Sequence, residues 1–276
     1  MRTDTSRRSI PSFRSRFTPP VPGEHGAIVM TAAALATPLS AVAYGGRPGV
    51  GALSAYVAFV GLAAVALLLR EALQRRHRTV ASADRRRLTA IAVVEALAVV
   101  ALAVGLAALQ DPRWIVVVGL VPAVVTDLRL RRRGWPLPFG PELSGVFAIS
   151  LAVPAAGVLL EVGGPRSIGA LWLFFLAFHV GSVLRVGMVL PSRSDVAART
   201  LLTVGVVVHV GLVIAATGGW LADAVGPGAP LVFAVAALRA GWVVRLQDET
   251  VPLPALGRAE GTLSALFVLA APLLLP

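Results

Sequence analysis

Residues 168–190 read IGALWLFFLAFHVGSVLRVGMVL. As a helix rising ~1.5 Å per residue, a run of this length crosses the ~30 Å hydrocarbon layer of a bilayer. It contains two ionisable side chains, His179 and Arg185, and no Pro or paired turn residues to break it. Comparable apolar runs occupy 26–44, 50–69, 90–109, 114–130, 142–161, 200–217, 228–244 and 257–275. Between them lie the expected chain breakers, among them Gly45-Gly46-Arg47-Pro48, Asp111-Pro112-Arg113, Gly163-Gly164-Pro165 and Gly226-Pro227-Gly228. In lipid only a helix satisfies its own backbone along such a run. The predicted fold is therefore all-α, a polytopic transmembrane helical bundle of about nine spans.

Composition agrees. Of the 276 residues 57% are hydrophobic and 14% charged, against roughly 25% charged in soluble domains. Mean hydropathy is +0.81. There is no Cys and no Lys, so all 25 basic side chains are Arg. A disulfide framework, a thiolate metal site and a Lys Schiff base are excluded. The net charge of +11 does not point to nucleic acid, because the arginines fall between the apolar runs instead of on one soluble face.

Their distribution sets the topology. The N-terminal tail holds Arg2, Arg7, Arg8, Arg14 and Arg16, and the second gap Arg70, Arg75, Arg76, Arg78, Arg85, Arg86 and Arg87. The fourth gap holds Arg129, Arg131, Arg132 and Arg133, the sixth Arg185, Arg193 and Arg199, the eighth Arg239, Arg245 and Arg258. The odd-numbered gaps hold only Arg47, Arg113 and Arg166. Short Arg-rich loops stay in the cytoplasm, so the N-terminus is expected inside and the C-terminus outside. Residues 1–21 are expected to form a disordered basic cytoplasmic tail and 22–276 a single transmembrane helical domain in the cytoplasmic membrane. A competing reading treats Ser6-Arg7-Arg8-Ser9-Ile10 as an export signal with a cleavage site near Ala41-Val42-Ala43. Its apolar segment starts well after the arginine pair, and its removal would invert the topology of everything that follows.

Ionisable groups in or beside spans are costly unless paired or facing a cavity. With the topology above they gather on the cytoplasmic side: Glu24 and His25 at the start of span one, Glu142 at the start of span five, and Glu260 at the start of span nine. Asp127, Arg185, Arg239 and Arg245 lie near the cytoplasmic ends of spans four, six and eight. Glu24, His25, Glu142 and Glu260 are the candidate catalytic groups, because a histidine beside carboxylates can move a proton. His179, Arg185, Arg239 and Arg245 are the candidate substrate-binding groups, the arginines for an anionic head. Structural readings stand beside these. A carboxylate at a helix N-terminus is favoured by the macrodipole, Arg185 and Arg245 can snorkel to headgroups, and Glu142 and Glu260 can simply pair with the arginines. Glu95 and His209 sit in apolar runs with no evident partner. The four histidines share no metal-ligand spacing, so no metal site is expected, and no cofactor motif is present.

Four short motifs carry a family resemblance. Pro22-Gly23-Glu24-His25-Gly26-Ala27 resembles the Pro-x-x-His-Gly-Ala opening of the YwiC-like family of bacterial membrane proteins. Pro141-Glu142-Leu143-Ser144-Gly145, Gly181-Ser182-Val183-Leu184-Arg185-Val186 and Gly257-Arg258-Ala259-Glu260 resemble later segments of the same family, in order. Ile28 stands where that family commonly has an aromatic, and Gly187 where it has an arginine. The topology also resembles that of the UbiA-type intramembrane prenyltransferases, whose cavity opens to the cytoplasm. Their paired aspartates are missing here: the corresponding gaps read Arg70-Glu71-Ala72-Leu73-Gln74-Arg75-Arg76-His77 and Pro191-Ser192-Arg193-Ser194-Asp195. The expected function is binding, with or without transformation, of a lipid or isoprenoid amphiphile in a cytoplasm-facing cavity. Proton-coupled transport of a small solute, or a structural role in a membrane complex, are the alternatives. No protein partner is legible.

Overall fold

A computed structural model of the chain describes residues 23–45, 48–61, 63, 140–189, 195–245 and 253–275. The basic tail, the expected spans 90–109 and 114–130, Glu95 and Asp127 lie outside the described residues. Among the described residues every element is helical and no strand occurs. In chain order they are α1 (Gly23–Gly45), α2 (50–61), α3 (Gly140–Ser150), α4 (Ala152–Leu159), α5 (Pro165–Val189), α6 (Asp195–Leu221), α7 (Gly228–Arg245) and α8 (Leu253–Ala270), closed by a 3₁₀ turn at Ala271–Leu274.

Local chemistry explains the ends. Pro165 opens α5 and Pro254 stands in the first turn of α8, where a proline's missing N–H has no intrahelical acceptor to lose. Within 142–161 the expected single span is broken at Leu151. Pro154 cannot donate to the carbonyl of Ser150 and its ring crowds that group, so the helix divides into α3 and α4. The ends of α4 and α6 bend back in the same way. Val162 N–H donates to Gly157 O at 2.9 Å and Ala224 N–H to Gly219 O at 2.8 Å, with Glu161 (φ 58°) and Asp223 (φ 54°) in the left-handed region.

α5 lies at the centre and packs against α1, α3, α4, α6 and α7. α8 packs mainly on α1, and the 3₁₀ turn on α1 and α7. The core is a continuous apolar cluster including Ala34, Val153, Leu159, Leu171, Phe175, Phe233 and Phe267, extended to α2 through Tyr56, whose hydroxyl donates to Leu35 O at 3.0 Å. Between α5 and α8 the contact is of a different kind. These two helices meet through long side chains and not through close approach of their backbones.

Two stretches, Pro165–Met188 and Leu202–Leu221, are long and apolar enough to cross a membrane. Shorter apolar stretches occupy Val29–Ala43, Val50–Gly61, Gly145–Leu159 and Gly228–Trp242. A core helix of a soluble protein is mostly buried, whereas only 33% and 17% of the two long windows are buried within the structure. Their outward side chains are apolar: Leu173, Val207 and Ile214 are exposed, as are Leu231 and Leu238 on α7 and Leu269 on α8. Exposed apolar side chains on helices of this length are compatible with a hydrocarbon surrounding.

Candidate functional site

The arginine in the quoted stretch organises the site. Arg185, on α5, has no solvent exposure and turns inward. A helix places residues 178, 182 and 185 on one face at successive turns, and that face looks toward α8. There the Arg185 Nη2 donates to Glu260 Oε2 at 2.8 Å, and Nε reaches Oε1 and Oε2 at 3.2 and 3.3 Å. Ser182 Oγ donates to the same Oε2 at 2.6 Å. The Phe178 ring covers the guanidinium, with Arg185 Cζ 5.5 Å from its centroid, a favourable arrangement for a cation withdrawn from water.

α6 supplies a third partner for Arg185. Arg185 Nη1 lies 2.9 Å from His209 Nε2, and His209 Nδ1 lies 2.7 Å from Gly205 O. A carbonyl only accepts, so Nδ1 carries the proton and Nε2 presents its lone pair to the guanidinium. This approach depends on a missing side chain: a Cβ on Gly181 would stand 3.1 Å from His209 Nε2 and 3.5 Å from Arg185 Nη1. Among the described residues three of the five guanidinium N–H groups are engaged. One N–H on each terminal nitrogen has no partner among the described residues.

Below the ion pair lies an aromatic layer. His179 stacks on Phe175 at 4.0 Å between centroids and donates from Nδ1 to Phe175 O at 2.9 Å. Phe178 and Phe267 lie 4.8 Å apart, Phe175 and Phe267 5.9 Å. Ser264 Oγ donates to Glu260 O at 3.0 Å and stands a longer 3.5 Å from His179 Nε2. The seam between α5 and α8 thus has a charged, hydrogen-bonded end and an aromatic depth.

The structure brings together three of the residues singled out from the sequence, His179, Arg185 and Glu260. Arg185 does not snorkel, and Glu260 is its partner. Glu260 also lies two turns inside α8, because the helix begins at Leu253 and not near 257. The N-terminal dipole, which fades within a turn, therefore does not account for it. Glu142 stands in the first turn of α3 with an exposed side chain, and no hydrogen bond or ion pair joins it to this cluster. Arg239 is partly buried, with an Nε that has no hydrogen-bond partner among the described residues. Its neighbour Ala240 packs on Met188, one turn beyond Arg185. Glu24 and His25 occupy the first turn of α1 and Arg245 the last of α7, and their side chains lie outside the described residues.

Ser182 and Ser264 escaped the sequence reading, and His209, noted there in an apolar run, had no evident partner. One signal could have paired His209 with Arg185. Gly181-Arg185 and Gly205-His209 both place a glycine one helical turn before a polar group, the pattern of two helices approaching closely around a buried hydrogen bond.

No family model, curated protein or solved structure matches this chain.

Proposed function

We propose that the chain is a multi-pass protein of the bacterial cytoplasmic membrane, of the YwiC-like kind and with a UbiA-like topology. On this reading it binds an amphiphile with an anionic head, a lipid or isoprenoid, at a site reached from the cytoplasm. The observation that carries it is a fully buried guanidinium at the head of an aromatic-lined seam between two helices whose backbones do not pack closely. Arg185 would hold the head through N–H groups that are open or released by Glu260, and Phe175, Phe178, His179 and Phe267 would lie along the apolar chain. Intramembrane ionisable groups mark ligand and ion paths as a rule. The alternation of arginines supports the topology, and the apolar exterior supports immersion in lipid.

A second reading is favoured by one observation: the carboxylate of Glu260 is fully partnered and its ion pair closed. Under it, the cluster only locks α5 to α8 and α6 within a larger membrane assembly.

The test is native mass spectrometry of the chain purified in mild detergent, with Arg185→Gln and a His25→Ala, Glu142→Ala double variant alongside wild type. Under the proposal, a defined amphiphile accompanies the wild type and is lost from folded Arg185→Gln. A wild type that carries none, together with an Arg185→Gln protein that no longer assembles, would decide for the lock.

A further inference from the structure

Resting on that reading, we infer that Glu260 is the resident occupant of the anion site, and that an incoming oxyanion takes its place on Arg185 while one proton passes from cytoplasmic water to the Glu260 carboxylate. The site would then bind its ligand with a proton, one for one.

Electroneutrality is costly to break where a charged group is shielded from solvent. Arg185 and Glu260 together carry no net charge, and Arg185 is completely shielded from solvent. An added anion would leave an uncompensated negative charge at a depth where each unpaired ion costs several kcal/mol. Protonating Glu260 restores neutrality: an O–H bond forms at the carboxylate, its hydrogen bonds to Arg185 are released, and no other covalent bond changes. The protonated carboxyl keeps a partner. Ser182, which donates at 2.6 Å in the present arrangement, has acceptor lone pairs and takes the new O–H once its own hydroxyl turns.

The neighbouring groups direct the proton to Glu260. His209, from α6, has its N–H committed to Gly205 O and aims its lone pair at Arg185. A proton on Nε2 would point at the guanidinium. His179, from α5, also uses its Nδ1 proton on the backbone, and its Nε2 faces Ser264 and not Glu260. On α8 itself Arg258 is exposed. From α1, Val29, beside Gly261, is apolar. From α7, Arg239 is next to Ala240, which packs on Met188, and its Nε has no hydrogen-bond partner among the described residues. The ligand chemistry that fits is a singly charged oxyanion, carried by an amphiphile or free.

The test uses the full chain in dodecyl maltoside, titrated calorimetrically with decyl sulfonate and separately with methanesulfonate, in two buffers of different ionisation enthalpy. Sulfonates stay ionised, so every proton counted is taken up by the protein. Decyl sulfonate should bind with uptake of one proton, and its apparent affinity should weaken about tenfold per pH unit wherever free Glu260 is ionised. Glu260→Gln should bind at least as tightly and take up none. If that variant does not fold, the wild-type proton count decides alone. Binding to wild type without proton uptake overturns the inference and leaves the binding reading intact. Equal affinity for methanesulfonate overturns the amphiphile and keeps the exchange, and absence of binding by either sulfonate overturns both.

Discussion

Arg185 and Glu260, 75 positions apart in the chain, hold each other through a 2.8 Å contact between Nη2 and Oε2. Removing one partner leaves the other as a buried, uncompensated charge. Glu260→Ala should therefore cost about 3–5 kcal/mol, and Glu260→Gln less, because its amide oxygen still accepts from Arg185. Replacing both, as Arg185→Met with Glu260→Leu, should come close to wild-type stability. Thermal unfolding in detergent checks the order. A Glu260→Ala protein melting at the wild-type temperature would mean that the pair is not shielded as described.

The contact between α5 and α6 depends on Gly181. Gly181→Ala puts a methyl 3.1 Å from His209 Nε2, and the overpacking should cost about 1–3 kcal/mol. Gly169→Ala, on the same helix with nothing within 4 Å of its would-be Cβ, should be neutral or gain up to about 1 kcal/mol from helix propensity. In a His209→Ala background the Gly181→Ala penalty should shrink, since the two sites share one contact. Additive penalties in that cycle would count against the Arg185–His209 geometry.

At the other end of the bundle the chain terminus is clamped by a glycine. Gly226 N–H donates to Leu274 O at 2.9 Å, and a Cβ there would overlap the carbonyl oxygens of Leu273 and Leu275. Backbone cannot rotate aside as a side chain can. Gly226→Ala should release the 3₁₀ turn, which limited proteolysis of the C-terminal segment would register as faster cleavage. Unchanged cleavage would place the clamp elsewhere.

Asp223 adopts φ 54° where α6 ends. A left-handed conformation costs a residue with a Cβ about 1 kcal/mol or more, and Asp somewhat less. Asp223→Gly should raise stability by up to about 1 kcal/mol, net of the extra freedom glycine gives the unfolded chain. A lower melting temperature would show that the Asp side chain contributes more than its backbone strain costs.

Most of the helix positions in the described residues were legible because the signal is local. Apolar runs, Pro and Gly breaks and the alternation of arginines act on the chain a few residues at a time. Pro154, a residue able to kink its span, does interrupt it at Leu151. One local effect was placed wrongly: α8 starts four residues before the apolar run, which moves Glu260 from a helix start to a helix interior.

By itself, the sequence determined that the chain is helical and rich in long apolar runs, and it singled out His179, Arg185 and Glu260 as groups needing an explanation. Only the tertiary structure decided that Arg185 answers to Glu260 and to His209, across separations of 75 and 24 residues. The physical reason is rotational. A helix that is apolar around its whole circumference carries no periodicity to say which face turns inward. That angle is set by the close approach at Gly181, the aromatic layer of Phe175, Phe178 and Phe267, and the need of a buried guanidinium to find its acceptors.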